Sequence, residues 1–207
     1  MAPRAKGVTI RRAASRRLLW VRTVKRMGRA RRIDVAGWHH VTCRAVDDVD
    51  VLARDTEKHI FARQLAIVVP RFDWSCLAFC LMSNHYHLLL RIPAETLTRG
   101  IHRLNSVFAH RYNEVHERRG HVFGERFASL PIASESHLFR TFRYVEMNPV
   151  AAGLVRSPHD WRWSSFRAIV GLAPPPPYLD LTAAHALFGQ TLESARAEYE
   201  ALVALPY

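Results

Sequence analysis

Apolar and polar residues alternate along the first half of the chain in a way that predicts both strands and a helix. Residues 38–44 mix aromatic and β-branched side chains and predict a first strand. Residues 55–69 carry apolar side chains at helical spacing, with acidic residues at the N-terminus, and predict a helix. Two apolar runs, 74–82 and 85–92, follow on either side of Ser83-Asn84, so they predict a hairpin of two strands.

The second half predicts further helices around one short strand. Residues 95–118 form a long amphipathic pattern of helical period. The glycine-containing segment 118–132 predicts a loop followed by a short strand. Ser134 or Ser136 could cap the next helix, which we expect to end near Asn148 because Pro149 follows.

The order of these elements predicts an α+β fold, in which an antiparallel sheet is packed with helices. The core is expected in one catalytic domain over residues 33–172. Four consecutive prolines, Pro174 to Pro177, predict a stiff linker to a C-terminal helix around residues 192–203. The glycines form no phosphate-binding pattern, which argues against a nucleoside triphosphatase or a dinucleotide-dependent dehydrogenase.

The net charge of +12 changes this picture because of its distribution. Residues 1–32 contain twelve Lys and Arg and no Asp or Glu, whereas the remainder carries 18 basic and 18 acidic side chains. A polyanion, either nucleic acid or an anionic membrane surface, is the natural partner of such an arm. The alternative is a disordered leader without a binding role.

The three cysteines, Cys43, Cys76 and Cys80, lack the paired spacing of a zinc site or a disulfide framework. Cys76 and Cys80 lie in an apolar run and are expected to be buried thiols, which fits a reducing cytoplasm. No apolar run approaches the roughly 20 residues of a membrane span, and the basic leader lacks a signal-peptide core. The sequence therefore predicts a cytoplasmic protein that is not anchored in a membrane.

Two histidines in the predicted hairpin could begin a metal site. His85 and His87 are two residues apart in a strand, so both imidazoles point to the same face. They would supply half of a divalent metal site if a third ligand came from elsewhere. The alternative is that they are two half-exposed histidines with no ligand.

The last core helix offers an oxygen ligand and a nucleophile. Thr141, Tyr144 and Asn148 lie at spacings of three and four, so they share one helix face. A phenol with a pKa of about 10 needs a nearby cation or base to act as a nucleophile at neutral pH. The alternative is that Tyr144 is an ordinary boundary residue and that Asn148 only caps the helix before proline.

Three motifs in order resemble a known family. The first motif, MSNHYHLLL, is similar to the family pattern Met-Pro-Asn-His-hydrophobic-His. The second, RYVEMNPVAAGLV, is similar to Arg-Tyr-x-x-x-Asn-Pro-Val-x-Ala-Gly-Leu-Val. The third, WRWSSF, is similar to the Trp-Ser-Ser-aromatic stretch that follows in the family. These motifs are those of the REP-associated tyrosine transposases, which are relatives of the insertion-sequence-200 transposases in the HUH endonuclease superfamily. The resemblance covers residues 32–187.

This resemblance implies a ferredoxin-like antiparallel sheet with helices on one side, and a bound Mg²⁺ or Mn²⁺. By position, His85 and His87 would be metal ligands, Asn148 the third ligand, and Tyr144 the nucleophile. The implied activity is cleavage and rejoining of single-stranded DNA, on hairpin-forming repeats, through a 5′-phosphotyrosine. The sequence leaves open whether the chain acts as a monomer or as a homodimer.

The chain departs from the family pattern at a few positions. Ser83 replaces a proline, whereas Ala128 and Ala151 stand where basic residues are frequent, which puts DNA affinity rather than chemistry in doubt. Family members begin with a short Met-x-Arg sequence, and Met27-Gly-Arg resembles that start. Met27 is therefore an alternative to Met1 as the true start, and the basic arm is expected to be dispensable for chemistry.

Basic and aromatic side chains are candidates for DNA contact, since arginines bind phosphates and aromatic rings stack on unpaired bases. The candidates are Arg99, Arg103, Arg111, Arg126, His121 and Phe123, whereas Arg118 and Arg119 are expected to belong to a solvated loop. Tyr112 is the other tyrosine that could act as a nucleophile. Two other functions remain open: a hairpin-binding protein that does not cut, and a metal-dependent hydrolase that uses water.

Overall fold

The computed structural model describes residues 34–124 and 126–205, and the predicted basic arm of residues 1–32 lies outside them. Four strands form one antiparallel sheet: β1 (Gly37–Arg44), β2 (Ser75–Leu81), β3 (His85–Ile92) and β4 (Ala128–Pro131). Their order across the sheet is β2-β3-β1-β4, and β1 and β3 occupy the centre. With the helices between the strands, this is the ferredoxin-like arrangement that the family resemblance implies.

Within the described residues, six α-helices accompany the sheet. They are α1 (Asp55–Arg71), α2 (Leu97–Val115), α3 (Glu135–Ala151), α4 (Phe166–Ile169), α5 (Leu181–Ala186) and α6 (Leu192–Ala204). Every strand and helix predicted from the periodicity is present, with ends that differ by a few residues. The two short helices α4 and α5 were not predicted, because four and six residues are too few to establish a period.

Helices α1 and α2 cover one side of the sheet, which we call the core face and define by Val41, Tyr86 and Leu88. These three side chains are completely buried. The ring of Tyr86 lies 4.6 Å from that of Phe61 on α1, and the Tyr86 hydroxyl donates a 2.9 Å hydrogen bond to Asn105 on α2. Burial of large side chains such as these is the main stabilising contribution to the fold.

Helix α3 packs on the opposite side, which we call the histidine face and define by His40, His85 and His87. Successive side chains of a strand point to opposite faces, so His85 and His87 lie opposite Tyr86. The ring of His87 contacts that of Tyr144 on α3, with centroids 5.4 Å apart. Helices therefore cover both faces of the sheet, and the one-sided arrangement implied by the resemblance is wrong in this respect.

Helix α3 begins as predicted but ends later. The Ser134 side chain accepts a hydrogen bond from the backbone N–H of His137, which is the expected cap. The predicted end near Asn148 is wrong, because the helix continues through Pro149 to Ala151. A proline in the last turn removes one hydrogen bond only, and the chain leaves the helix at Gly153, whose φ of 71° suits glycine.

The segment that contains the WRWSSF motif lies along the edge strand β2. The Leu81 N–H donates to the Trp163 carbonyl at 2.8 Å, and the Ser165 N–H donates to the Phe79 carbonyl at 3.0 Å. Ser164 and Cys80 form an isolated antiparallel bridge. These contacts satisfy backbone groups that an edge strand would otherwise expose.

The C-terminal helix α6 packs against α3 beyond the proline run. Tyr199 on α6 is fully buried, and its ring lies 5.7 Å from that of Phe142 on α3. Glu146, also fully buried on α3, accepts hydrogen bonds from Tyr199 Oη at 2.7 Å, from the Phe166 N–H at 3.2 Å and from Ser165 Oγ. Glu146 thus joins α3 to the two segments that follow it.

Candidate active site

The hairpin of β2 and β3 places both predicted histidines on the histidine face. In the register of the sheet, His87 lies opposite Thr42 of β1 and Cys80 of β2, and His85 lies opposite Arg44. The two rings are 4.9 Å apart between centroids and almost perpendicular. The structure therefore brings the two imidazoles together as the spacing of two predicts.

Helix α3 brings Tyr144 and Asn148 to the same place. Leu138, Phe142 and Val145 are completely buried and fix the rotation of the helix about its axis. Tyr144 and Asn148 are half-buried on the side next to His87. Asn148 Nδ2 donates a 2.7 Å hydrogen bond to the Tyr144 carbonyl, which leaves Asn148 Oδ1 as the side-chain atom that could act as an oxygen ligand.

A third histidine, His40 of β1, belongs to the same cluster. Its Nε2 lies 3.0 Å from Nδ1 of His87, and the two rings stack with centroids 5.2 Å apart. The His40 ring also packs edge-on against Tyr144 at 5.5 Å. The tyrosine ring is thus in contact with two imidazoles from two adjacent strands.

Burial keeps these histidines neutral at pH 7. It lowers the pKa of His40 to about 4, with a smaller contribution from His137. Burial, and then the positive charge of Arg44, lowers the pKa of His85 to about 4. Burial also holds the pKa of His87 well below its usual value, and the nearby Asn148 side chain acts in the opposite direction. A neutral imidazole has one nitrogen lone pair, which is the form that binds a metal ion.

The donor atoms at this site fit a divalent metal ion. The Nε2 atom of His87 is buried and has no hydrogen bond of normal geometry within the described residues. A buried polar nitrogen without a partner is costly, and a metal ion would satisfy it. No group of three or more His, Cys, Asp or Glu in the described ranges is arranged to hold a metal. The candidate ligand set here is of a different kind, two imidazoles and the Asn148 amide.

The candidate DNA contacts on α2 lie away from this cluster. Arg99, Arg103 and Arg111 are exposed on α2, the helix that covers the core face. Tyr112 is buried on the same helix, and its ring packs against His116 at 4.3 Å. The sheet separates Tyr112 from the histidine face, so Tyr144 is the one of these two candidate tyrosines that contacts the predicted ligands.

The other three candidate contacts lie in the loop before β4 and have different surroundings. The half-buried Phe123 ring packs against Tyr86 at 6.0 Å and Phe108 at 5.7 Å, so it belongs to the core and is badly placed to stack on a base. His121 and Arg126 are exposed. Those two remain open to solvent and to a ligand.

Sequence reasoning missed His40, Asn84 and Glu146. His40 lies two residues before Thr42 and therefore on the same face of β1. Its contact with His87, 47 residues away in the sequence, depends on the register between two strands. Asn84 lies in the turn before β3, where its Oδ1 is 2.7 Å from His85 Nδ1. The available signal for Asn84 was its position as a polar residue directly before the His-x-His pair.

Comparison with known proteins agrees with this fold. A family model described as "Transposase IS200 like" matches residues 37–148, which include β1, both histidines, Tyr144 and Asn148. The match covers more than half of the chain, and the chain belongs to this transposase family. No curated protein sequence matches the chain.

Solved structures match the chain at low sequence identity. One is a REP-associated tyrosine transposase bound to a REP hairpin, with a TM-score of 0.62 and 20% identity, over 72% of this chain and 89% of that one. Another is a proposed transposase from Deinococcus radiodurans R1, with a TM-score of 0.41 and 16% identity, over 58% of this chain and 96% of that one. In the described part of the chain, no helix is long and apolar enough to cross a membrane.

Proposed function

We propose that the protein cuts and rejoins single-stranded DNA through a covalent bond between Tyr144 and a 5′-phosphate. The observation that carries this proposal is the contact of the Tyr144 ring with both His87 and His40, at 5.4 and 5.5 Å between centroids. Asn148, one helical turn further along α3, lies on the same side. The candidate nucleophile therefore lies beside three candidate ligand or orienting groups, His40, His87 and Asn148, on one face of the sheet.

In this reaction the Tyr144 oxygen attacks phosphorus, and the bond between phosphorus and the 3′-oxygen breaks. The phenol loses its proton to solvent, and the leaving oxygen takes up a proton and becomes a 3′-hydroxyl. Attack on the phosphotyrosine by another 3′-hydroxyl restores the phenol and joins two strands. No net oxidation or hydrolysis occurs, so the energy of the phosphodiester bond is kept.

His85 and His87, through Nε2, and Asn148, through Oδ1, would hold a Mg²⁺ or Mn²⁺ ion. When bound, such an ion polarises the scissile phosphate and stabilises the charge that develops on it. The protein's own contribution is position: β3 fixes the imidazoles and α3 fixes the tyrosine. A helix that is packed along its whole length holds a nucleophile more rigidly than a loop does.

Hairpin DNA with single-stranded flanks is the substrate class that we propose. The structural neighbour was solved bound to a REP hairpin, and this chain has no zinc finger or basic zipper in its sequence for reading a duplex. Exposed basic residues, including Arg126 near the start of β4, would contribute salt-sensitive phosphate contacts. A cytoplasmic location beside the nucleoid accords with such a substrate.

A denaturing gel distinguishes this function from its two rivals. The full chain is incubated with Mn²⁺ and a hairpin oligonucleotide that is labelled at its 3′ end, because the fragment on the 3′ side of the cut is the one that would be attached to Tyr144. We expect a labelled band that migrates with the protein and disappears after proteinase treatment. Cleavage without a protein-linked band would indicate a hydrolase that uses water, and binding without cleavage would indicate a hairpin-binding protein.

A further inference from the structure

Both candidate ligand histidines have a hydrogen-bond partner at the same ring atom. His85 Nδ1 lies 2.7 Å from Asn84 Oδ1, and His87 Nδ1 lies 3.0 Å from His40 Nε2. The two partners come from different elements, since Asn84 precedes β3 and His40 belongs to β1. Neither contact follows from the His-x-His spacing itself.

The contact with Asn84 determines which nitrogen of His85 carries the proton. A carboxamide oxygen can only accept a hydrogen bond, so Nδ1 of His85 must donate. The neutral ring then has its lone pair on Nε2. Asn84 thereby selects the tautomer in which His85 can bind a metal through Nε2.

The contact with His40 allows two arrangements of the proton. If His40 Nε2 carries the hydrogen and donates, His87 is protonated on Nε2 and cannot bind a metal there. If His87 Nδ1 carries the hydrogen and donates to His40, the buried Nε2 of His87 has the lone pair. In the first arrangement the buried Nε2–H of His87 has no acceptor of normal geometry within the described residues, which is costly, whereas in the second the Nε2 lone pair can bind a cation.

We propose that His40 and Asn84 are positioning residues, which accept a hydrogen bond from Nδ1 of His87 and of His85 and so present both Nε2 atoms to one divalent cation. This inference rests on the proposed function, which assigns His85 and His87 as metal ligands. Groups that hold a ligand imidazole in this way fix its tautomer and its orientation, and their loss typically weakens metal affinity by about 10–100-fold.

His39 provides a matched control for His40. The two residues are adjacent on β1 and therefore point to opposite faces of the sheet. His39 is completely buried on the core side, where it contacts Ser129 Oγ and the Val35 carbonyl, both at 2.9 Å. A change at His39 should affect folding and leave the metal site unchanged.

The test measures Mn²⁺ affinity of the DNA-free protein by electron paramagnetic resonance. We expect His40→Leu and Asn84→Ala to weaken Mn²⁺ binding by about 10–100-fold. His40→Gln replaces the ring-nitrogen acceptor with an amide oxygen and Asn84→Asp keeps an oxygen acceptor, so both variants should retain most of the affinity. His39→Gln should lower the Tm and leave Mn²⁺ affinity unchanged. Unchanged affinity in folded His40→Leu and Asn84→Ala would overturn the proposal.

A second measurement does not depend on the folding of any variant. Long-range ¹⁵N spectra of the Mg²⁺-saturated wild-type protein report which nitrogen of each ring carries hydrogen. We expect the Nδ1–H form for His85 and His87, and an Nε2–H form for either would overturn the proposal. Tight metal binding without a DNA adduct would reject the proposed function alone, whereas a wild-type protein that binds no Mn²⁺ would reject both.

Discussion

The Tyr199 hydroxyl donates a 2.7 Å hydrogen bond to Glu146 Oε1 and joins the last helix to the helix that carries Tyr144. Glu146 is fully buried, and Ser165 and the Phe166 N–H supply its other hydrogen bonds. Burial raises the pKa of this carboxyl to about 7, against the opposing effect of these donors. The position of the candidate nucleophile is therefore coupled to a titratable group inside the fold.

Glu146 should make the stability of the protein decrease between pH 4.5 and 7. The folded state keeps the proton in this range while the unfolded state loses it, so the unfolded state binds fewer protons and the free energy of unfolding falls as pH rises. At about 1.4 kcal/mol per pKa unit, the loss is on the order of 3 kcal/mol. Glu146→Gln should remove this component, which urea unfolding at pH 5 and pH 8 would reveal.

The control for this prediction is Glu135→Gln, because Glu135 is exposed in the first turn of the same helix. That variant should follow the wild-type pH dependence. If Glu146→Gln and the wild type lose stability equally between the two pH values, the carboxyl does not carry its proton to pH 7 in the folded state.

Removal of the candidate ligands should have graded effects on adduct formation. His85→Ala or His87→Ala removes an imidazole that water replaces poorly, so we expect a loss of more than about 100-fold with little recovery in excess Mn²⁺. Asn148→Ala should lose less and recover in excess Mn²⁺, because water can occupy an oxygen position. His102→Ala, at an exposed position on α2, is the control. An Asn148 variant as inactive as the histidine variants would argue against its role as a replaceable oxygen ligand.

The basic N-terminal segment should contribute to DNA binding without being needed for chemistry. Nine of its twelve basic residues precede Met27. We expect a protein that starts at Met27 to fold and to nick DNA, with weaker binding and a shallower dependence of log K on log salt concentration. Binding titrations at several salt concentrations measure this slope. A shortened protein that is unfolded, or inactive at every salt concentration, would refute the prediction.

Cleavage should require an unpaired strand. Tyr144 lies on a rigid helix over the sheet, so the DNA backbone has to bend toward it, which a single strand does at low cost. We expect efficient adduct formation with single-stranded or hairpin DNA, and at most slow reaction with a fully paired linear duplex of the same sequence. Equal rates on the two substrates, measured at one salt concentration, would count against the proposed substrate class.

Local patterns in the sequence were sufficient to predict the main elements and which of the candidate site residues share a face. The alternation in β3 predicts that His85 and His87 share a face, and the spacing of three and four in α3 predicts the same for Tyr144 and Asn148. Both predictions depend on neighbours in the chain only. The resemblance to the transposase family then indicated that the two pairs belong together.

Features that depend on distant parts of the chain could not be predicted in this way. The contact between His40 and His87 requires the register of two strands, and the burial of Glu146 requires that residues 163–199 fold back onto α3 and β2. Phe123 was predicted as a stacking residue because it is aromatic, yet its half-buried ring packs against Tyr86. Sequence periodicity contains no information about such pairings.

The most direct test of the account is to identify the tyrosine that becomes linked to DNA. Trypsin cleaves after Arg111 and after Arg143, so Tyr112 and Tyr144 each begin a separate peptide. After reaction with DNA and nuclease digestion, mass spectrometry should find the nucleotide remnant on the peptide that begins at Tyr144. Tyr144→Phe should abolish the adduct while the protein stays folded and binds Mn²⁺, and Tyr112→Phe should leave the adduct intact. An adduct on the Tyr112 peptide, or one that persists in Tyr144→Phe, would contradict the assignment of Tyr144 as the nucleophile.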